Sequence, residues 1–354
     1  MNFFEKDNLT ALQAKEKAQW IAFAPVVFQV SKVIRDTGIL QVVGENPGIT
    51  QTEVVSKLNL SRYGVRVLME GALGIGLLTE RDEGYYLTKT ASFILTDHLT
   101  RVNMDFIHDV CYEGLFHLED SIRNEKPEGL KVFGEWPTIY EGLSKLPEQV
   151  QKSWFGFDHF YSDYAFPDVL PRVFEDKPQR LLDIGGNTGK WAIQCAEFDP
   201  DVEVTIMDLP GQVEMAKKNI AEKGLAQRIH FFETNLLDES LPFPGSFDAI
   251  WMSQFLDCFS DDQIVSILKR CRKALSTDGH VYILEPFWDR QRFQASAFAL
   301  QQTSIYFTTM ANGNSQMYHS KTFIQCVKEA GFKVSDQADL IGVSHTLLKC
   351  KPDW

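Results

Sequence analysis

From residue 178 onward the chain repeats short apolar runs, at 180–184, 202–207, 229–233, 248–252 and 280–284, separated by stretches whose apolar residues recur three and four apart. A run of that length between turn signals is a buried strand, and the longer period is an amphipathic helix. The spacing predicts helices over 190–198, 212–223 and 261–274. After the fifth strand it predicts a long helical insert, a helix over 320–330, and two closing strands near 333–338 and 345–350. Strands that alternate with helices imply a parallel sheet covered on both faces, an α/β Rossmann-like domain.

The first hundred residues follow another rhythm. Helical spacing runs over 25–43 and stops near Gly44. Thr50 with Glu53 is a capping-box signature for a second helix, and Ser61 caps a third over 63–73. Residues 77–80 and 85–88 read as two short strands around the polar turn Arg81-Asp82-Glu83-Gly84. This unit is all-helical apart from its two-stranded wing, the pattern of a winged helix. Between the two rhythms lies an aromatic-rich helical stretch, interrupted at Gly134-Glu135-Trp136-Pro137 and at Pro147. The expected division is a winged-helix domain over 1–98, a connector over 99–175 that contributes pocket walls, and the α/β domain over 176–354.

Chemistry concentrates in Leu181 to Gly189, LLDIGGNTG. A strand runs into Asp183, then a turn with Gly185, Gly186 and Gly189, then a helix. Glycines allow the backbone close to a ligand, and the helix start offers free N–H groups. A second strand ends at Asp208, placed to accept hydrogen bonds from two ribose hydroxyls. The spacing is D-x-G-x-x-x-G, not the G-x-G-x-x-G of a dinucleotide site. A carboxylate beside the turn repels a pyrophosphate and suits a cationic ligand with an amino group. S-adenosylmethionine, with its sulfonium and ammonium, is that ligand.

Composition narrows the partners. The net charge of -13 and pI near 5.1 argue against nucleic acid. The third predicted helix offers only Arg62 and Arg66, too few to neutralise phosphates. No apolar run is long enough for a membrane helix, and the first twenty residues carry scattered charges without an apolar signal core. The six cysteines are dispersed, with no metal-ligand spacing. A cytoplasmic protein without a metal site is expected, acting on a small molecule.

The chain also resembles the O-methyltransferase family that includes the caffeic acid and hydroxyindole enzymes and bacterial polyketide relatives. The resemblance is carried by DIGGNTG at 183–189, DLPGQVEMA at 208–216, FLDCFSDDQIVSILKRCRKAL at 255–275 and KEAGF at 328–332. It implies an S-adenosylmethionine-dependent class I methyltransferase domain and a homodimer formed through the N-terminal winged helix. It also implies that Gly185 and Gly189 shape the turn against the methionine part, that Asp208 holds the ribose, and that Leu209 packs on adenine. Asn235, followed by Leu236, stands where the family often has an Asp for the adenine amino group, and Ser253 replaces a common Lys.

The departure falls at the catalytic position. Where the plant-type motif has a His that deprotonates the substrate, this chain has Asp257. Glu285 matches one of the two acids that flank that His, and Met317 stands in place of the other. His319, nearby in sequence, is a candidate replacement base or a helix cap. The resemblance further points to Phe157, Tyr161 and Asn312 as substrate contacts, and Phe298, Tyr306 and Phe307 are candidates to line the insert. An ordinary carboxylate is a poor base for a phenol of pKa about 10. Methyl transfer to oxygen of an aromatic or polyketide-like acceptor is the expectation. Two alternatives stand beside it: cofactor-dependent hydroxylation or decarboxylation without methyl transfer, and a transcription regulator with a ligand-sensing α/β domain.

Overall fold

The computed structural model describes residues 3–353, which form two compact units, 3–107 and 108–353.

The first unit begins with α1 (Ala11–Asp36) and α2 (Ile39–Glu45). The sequence pattern had placed a single helix over 25–43. The true start is a capping box at Thr10 and Gln13. The chain then breaks at Gly38, whose φ of 83° lies in the left-handed region. Helices α3 (Gln51–Leu58) and α4 (Arg62–Gly74) follow, capped by Thr50 and Ser61. Strands β1 (Leu78–Arg81) and β2 (Gly84–Leu87) pair antiparallel around Asp82 and Glu83, both at positive φ as a tight hairpin turn demands. Helices α5 (Lys89–Thr96) and α6 (His98–Phe106) close the unit. Ile34, Leu40, Val43, Val54, Val65 and Met69 form its core.

The second unit opens with α7 (Leu118–Asn124), the single turn α8 (Ile139–Gly142), α9 (Glu148–Asp163) and α10 (Phe166–Phe174). The α/β part then runs β3 (Arg180–Ile184), α11 (Lys190–Phe198), β4 (Glu203–Asp208), α12 (Pro210–Glu222), β5 (Ile229–Glu233) and β6 (Phe247–Ser253). It continues through α13 (Asp261–Ala274), β7 (Leu275–Glu285), α14 (Gln294–Tyr306), α15 (Ser320–Glu329), β8 (Phe332–Ile341) and β9 (His345–Pro352). The sheet order is β5-β4-β3-β6-β7-β9-β8. Strands β3 to β7 are parallel, whereas β9 pairs antiparallel with both β7 and β8.

Alternate strand residues serve opposite faces. Leu182, Ile184, Ile250, Met252 and Ile283 pack toward α13 and α15. Leu181, Val204, Ile206, Trp251 and Leu284 pack toward α10, α11 and α12. There Trp191 stacks on Trp251 with ring centroids 4.0 Å apart. Strand order reverses between β3 and β6, and the crevice at that switch, outside the carboxyl ends of the strands, is where ligands bind in such sheets.

Candidate active site

The carboxyl ends of β3, β4, β6 and β7 bring together Asp183, Asp208, Asp257 and Glu285. At β3 the chain turns through Gly185, at φ 74°, and reaches Gly189, at φ 81°, before α11. A side chain at Gly185 would begin 2.2 Å from the Phe255 ring, and one at Gly186 would begin 2.7 Å from Asp183 Oδ2. The turn is therefore open only because these residues are glycine. Asp183 is buried and its Oδ2 has no hydrogen-bond partner. Burial, reinforced by the charge of Asp208, holds its pKa well above the carboxylate range.

Asp208 is half-buried. Its Oδ2 accepts the Asn187 N–H at 2.8 Å and its Oδ1 accepts the Leu209 N–H at 2.7 Å. Each oxygen keeps a lone pair for a ligand hydroxyl. Burial raises its pKa to about 6, against the pull of the two N–H groups. Leu209 is half-buried as the cap of α12. Leu236 is buried, and Ser253 Oγ is buried without a partner. Asn235 is exposed and turned inward on its own loop, where Oδ1 accepts the Leu237 N–H at 3.0 Å.

The turn after β6 carries the other half. Gln254 sits at φ 47°, a left-handed position that costs a side-chain-bearing residue about 1 kcal/mol or more. It is fixed at both ends. Its N–H bonds Leu284 O at 2.9 Å, and its Oε1 meets Nε2 of the fully buried His345 at 2.8 Å. Burial lowers the His345 pKa to about 3, so the imidazole is neutral and Nε2 donates. Next, Glu285 Oε1 accepts the N–H groups of Phe255 and Leu256 at 3.0 and 2.8 Å. Glu285 Oε2, also buried, has no donor.

Asp257 follows, 4% exposed, its carboxyl lying against that of Glu285. Burial, with the negative charge of Asp158 added, raises its pKa to about 7. Glu285 is raised too, by burial and then by Asp257. Two buried carboxyls in contact hold a proton between them near neutral pH. The Tyr140 hydroxyl on α8 and Cys258 lie beside them.

The remaining sequence-expected residues separate. Phe157 and Tyr161 lie one turn apart on α9, half-buried, with rings 5.0 Å apart. Asn312 comes to the site as a brace: Nδ2 bonds Cys258 O, while Oδ1 accepts from the Asn314 and Ser315 N–H groups at 3.2 Å each. Its amide is thus spent on backbone, and it fixes the Asp257–Cys258 turn. His319 is a helix cap: Nδ1 accepts the Lys321 N–H at 3.0 Å at the start of α15, and the ring packs edge-on to Trp288. That lone pair is unavailable for a substrate proton. Phe298 is 59% exposed on α14. For His319 the cap is one of the two roles its sequence position offers.

Besides His345, the side chains of two further residues are not marked in the sequence. Asp158, a lone acid in the aromatic run of α9, accepts the Asn187 Nδ2–H at 3.1 Å. Asn187, inside the glycine turn, thereby links Asp158 to Asp208. The one sequence signal was Asp158's position among aromatics already expected to line a pocket.

The model of the O-methyltransferase domain matches residues 112–333, and that of the Dimerisation2-like domain matches 15–85. The chain belongs to the O-methyltransferase family and is an S-adenosylmethionine-dependent methyltransferase. Among curated relatives, L-tyrosine C(3)-methyltransferase of Streptomyces lavendulae is 26% identical over 90% of this chain and 86% of its own. The 3-hydroxy-5-methyl-1-naphthoate 3-O-methyltransferase of Streptomyces sahachiroi is 23% identical over 79% and 78%. The methyltransferase SibL shares the fold at a TM-score of 0.71, with 23% identity over 95% of this chain and 98% of the other. Human N-acetylserotonin methyltransferase, solved with S-adenosylmethionine, does so at 0.68, with 19% identity and 99% of both chains covered.

Proposed function

We propose that the chain methylates the hydroxyl oxygen of a small aromatic acceptor, with Asp257 as the base. The observation that carries this is the buried Asp257–Glu285 pair. A carboxylate of ordinary pKa is about six decades too weak for a phenol. Raising Asp257 to about 7 recovers about three of them.

The residues present fit the cofactor: Asp183 Oδ2 is an unpartnered buried acceptor for a cation, and Asp208 has lone pairs for two hydroxyls. S-adenosylmethionine supplies a methyl group already activated on sulfonium. Asp183, Gly185, Gly186 and Gly189 let its methionine end approach the turn, and Asp208 orients the ribose. Leu209, Leu236 and Ser253 wall the adenine side, with Asn235 at its rim. Asp257 takes the acceptor proton, burial and the charge of Asp158 keep it basic, and Glu285 fixes the turn through the Phe255 and Leu256 N–H groups. Phe157 and Tyr161 present flat apolar surface, which selects a planar ring. Transfer then requires only that the oxygen be held in line with the S–CH₃ bond.

A second reading rests on the 26% identity to L-tyrosine C(3)-methyltransferase. Deprotonating a phenol also makes its ortho carbon nucleophilic, so the same base serves transfer to carbon. Product NMR separates the two. The N-terminal unit is assigned to homodimerisation. Supporting this are the match over 15–85 and the exposed apolar residues of α1, among them Leu12, Ile21, Phe23 and Val26. The pocket role of 99–175, cytoplasmic residence and independence of nucleic acid are assigned on composition and charge.

Calorimetric titration with S-adenosylmethionine and S-adenosylhomocysteine tests the base of this reading. Both bind wild type, and Asp208→Ala weakens both about a hundredfold, the worth of two hydrogen bonds to a charged group. Unaltered binding in the variant overturns the site assignment. A phenol screen read by S-adenosylhomocysteine release follows.

A further inference from the structure

The site holds more negative charge than the proposed reaction uses. Asp183 and Asp208 face the cofactor, and Asp257 with Glu285 forms the base. Asp158 has no task in that scheme. It stands on α9 next to Phe157 and three residues before Tyr161, the proposed ring-binding surface. The cation whose charge reaches Asp158 is Lys190, which is ion-paired with Asp163 at 2.6 Å and forms no ion pair with Asp158 itself. None of the ion pairs among the described residues includes Asp158, Asp257 or Glu285. Asp158 lies close enough to both Asp208 and Asp257 for each pair to repel. It therefore sits between the cofactor side and the base.

A second observation says what kind of ligand this arrangement takes. Glu285 is 2% exposed, its Oε2 is unpartnered, and it faces Asp257. Asn187 Oδ1, on the residue that braces Asp158, is buried and unpartnered as well. Asn187 Oδ1 accepts and cannot donate, and the Asp257–Glu285 pair has one proton to share among its oxygens. A buried acceptor left alone is costly, so the ligand that fills the site supplies donors. An acceptor bearing its own carboxylate would instead add one more anion beside Asp158, Asp257 and Glu285.

We infer that the methyl acceptor carries a protonated amine as well as its reacting hydroxyl, and that Asp158 receives that ammonium while Asp257 receives the hydroxyl proton. Asp158 is then the specificity-determining residue of the site, selecting cationic aromatic alcohols and rejecting aromatic acids. Asn187 holds its carboxylate through Nδ2, and Lys190, paired with Asp163, acts on it only at a distance. This assignment rests on the reading that the site methylates a small aromatic hydroxyl compound.

The test uses three phenols that differ only in charge: tyramine, p-cresol and 4-hydroxyphenylacetate. Each is titrated into S-adenosylhomocysteine-saturated protein, and turnover with S-adenosylmethionine is followed in parallel. In wild type, tyramine binds about tenfold tighter than p-cresol, the scale of one charge-assisted contact, and the acid binds weakest. Asp158→Asn brings the tyramine to p-cresol ratio to about one, and Asp158→Glu restores part of it. Retained S-adenosylmethionine affinity in both variants certifies their folding.

Equal binding of acid and amine overturns the inference, as does a tyramine preference that survives Asp158→Asn. So does binding of none of the three. A loss of S-adenosylmethionine affinity in Asp158→Asn, with the tyramine ratio unchanged, also overturns it and assigns Asp158 to the cofactor's own ammonium. Failure of wild type to bind S-adenosylmethionine is a separate result that overturns the underlying reading first.

Discussion

Around Asp208 the site is built from backbone, whereas around Asp257 it is built from side chains drawn from distant strands. The cofactor half needs a turn open enough for close approach and an acid held by two adjacent N–H groups. Both follow from nine contiguous residues and one strand end. The acceptor half needs Glu285 from β7, His345 from β9, Asn312 from beyond α14 and Asp158 from α9, converging on one short turn. The first half is a local device that a sequence repeats almost unchanged. The second is a tertiary one, and its chemistry is set by burial.

The largest effect should come from the acceptor half. Asp257→Asn is expected to lower turnover about 10²- to 10⁴-fold, the usual worth of a positioned base, while S-adenosylhomocysteine affinity holds. In wild type the rate should rise with pH through about 7, where Asp257 loses its proton. The groups facing it are Glu285 on β7, Asp158 on α9, Tyr140 on α8 and its neighbour Cys258. A pH–rate profile flat from 5 to 8, or a variant with full turnover, would dissolve the contrast.

Gly185→Ala probes the other half. The new methyl would start 2.2 Å from the Phe255 ring, at a φ of 74°. The expected cost is about ten- to a hundredfold in S-adenosylmethionine affinity, from backbone strain of about 1 kcal/mol together with the displaced ring. Calorimetry checks it. Because Phe255 precedes Asp257 by two residues, turnover at saturating cofactor should fall as well, the one place where the halves touch.

The smallest effect sharpens the electrostatic part. A carboxyl whose pKa is raised on folding keeps its proton in the folded state where the unfolded chain has lost it. Stability from that group is therefore lost as pH rises from the ordinary carboxylate range through about 7. Asp257→Asn removes this cost, and its ligand-free melting temperature should exceed that of wild type by a few degrees at pH 7.5 and by less at pH 5. Equal melting at both pH values would mean that Asp257 is not strained by burial.

Most of the fold was legible because its elements are coded by period and punctuation. The strands of the parallel sheet begin and end within a few residues of the apolar runs, and Thr50, Ser61 and Ser260 cap helices as their side chains dictate. The error at α1 and α2 arose from reading Pro25 as a beginning. The chain accommodates it inside a helix already started by Thr10. In the proposed site, the glycine turn, Asp208, Asp257 and Glu285 could be singled out because each ends or follows a recognisable strand. Asp158, Asn187 and His345 could not, since nothing local marks a side chain whose partner is tens of residues away. His319 and Asn312 show the complementary case: their polar atoms are engaged by neighbouring backbone, the cap being one of the two roles the sequence allows for His319.

The pairing of His345 with Gln254 carries a consequence for how such a molecule loses its activity. The strand that bears His345 lies at the far end of the chain, yet its imidazole is the clip that keeps the turn before Asp257 in a left-handed bend. Thr346, the next residue, pairs with Glu285 across the sheet. Damage to this last strand would reach the chemistry before it reached the cofactor, leaving a protein that still binds S-adenosylmethionine but has forgotten where to put the proton.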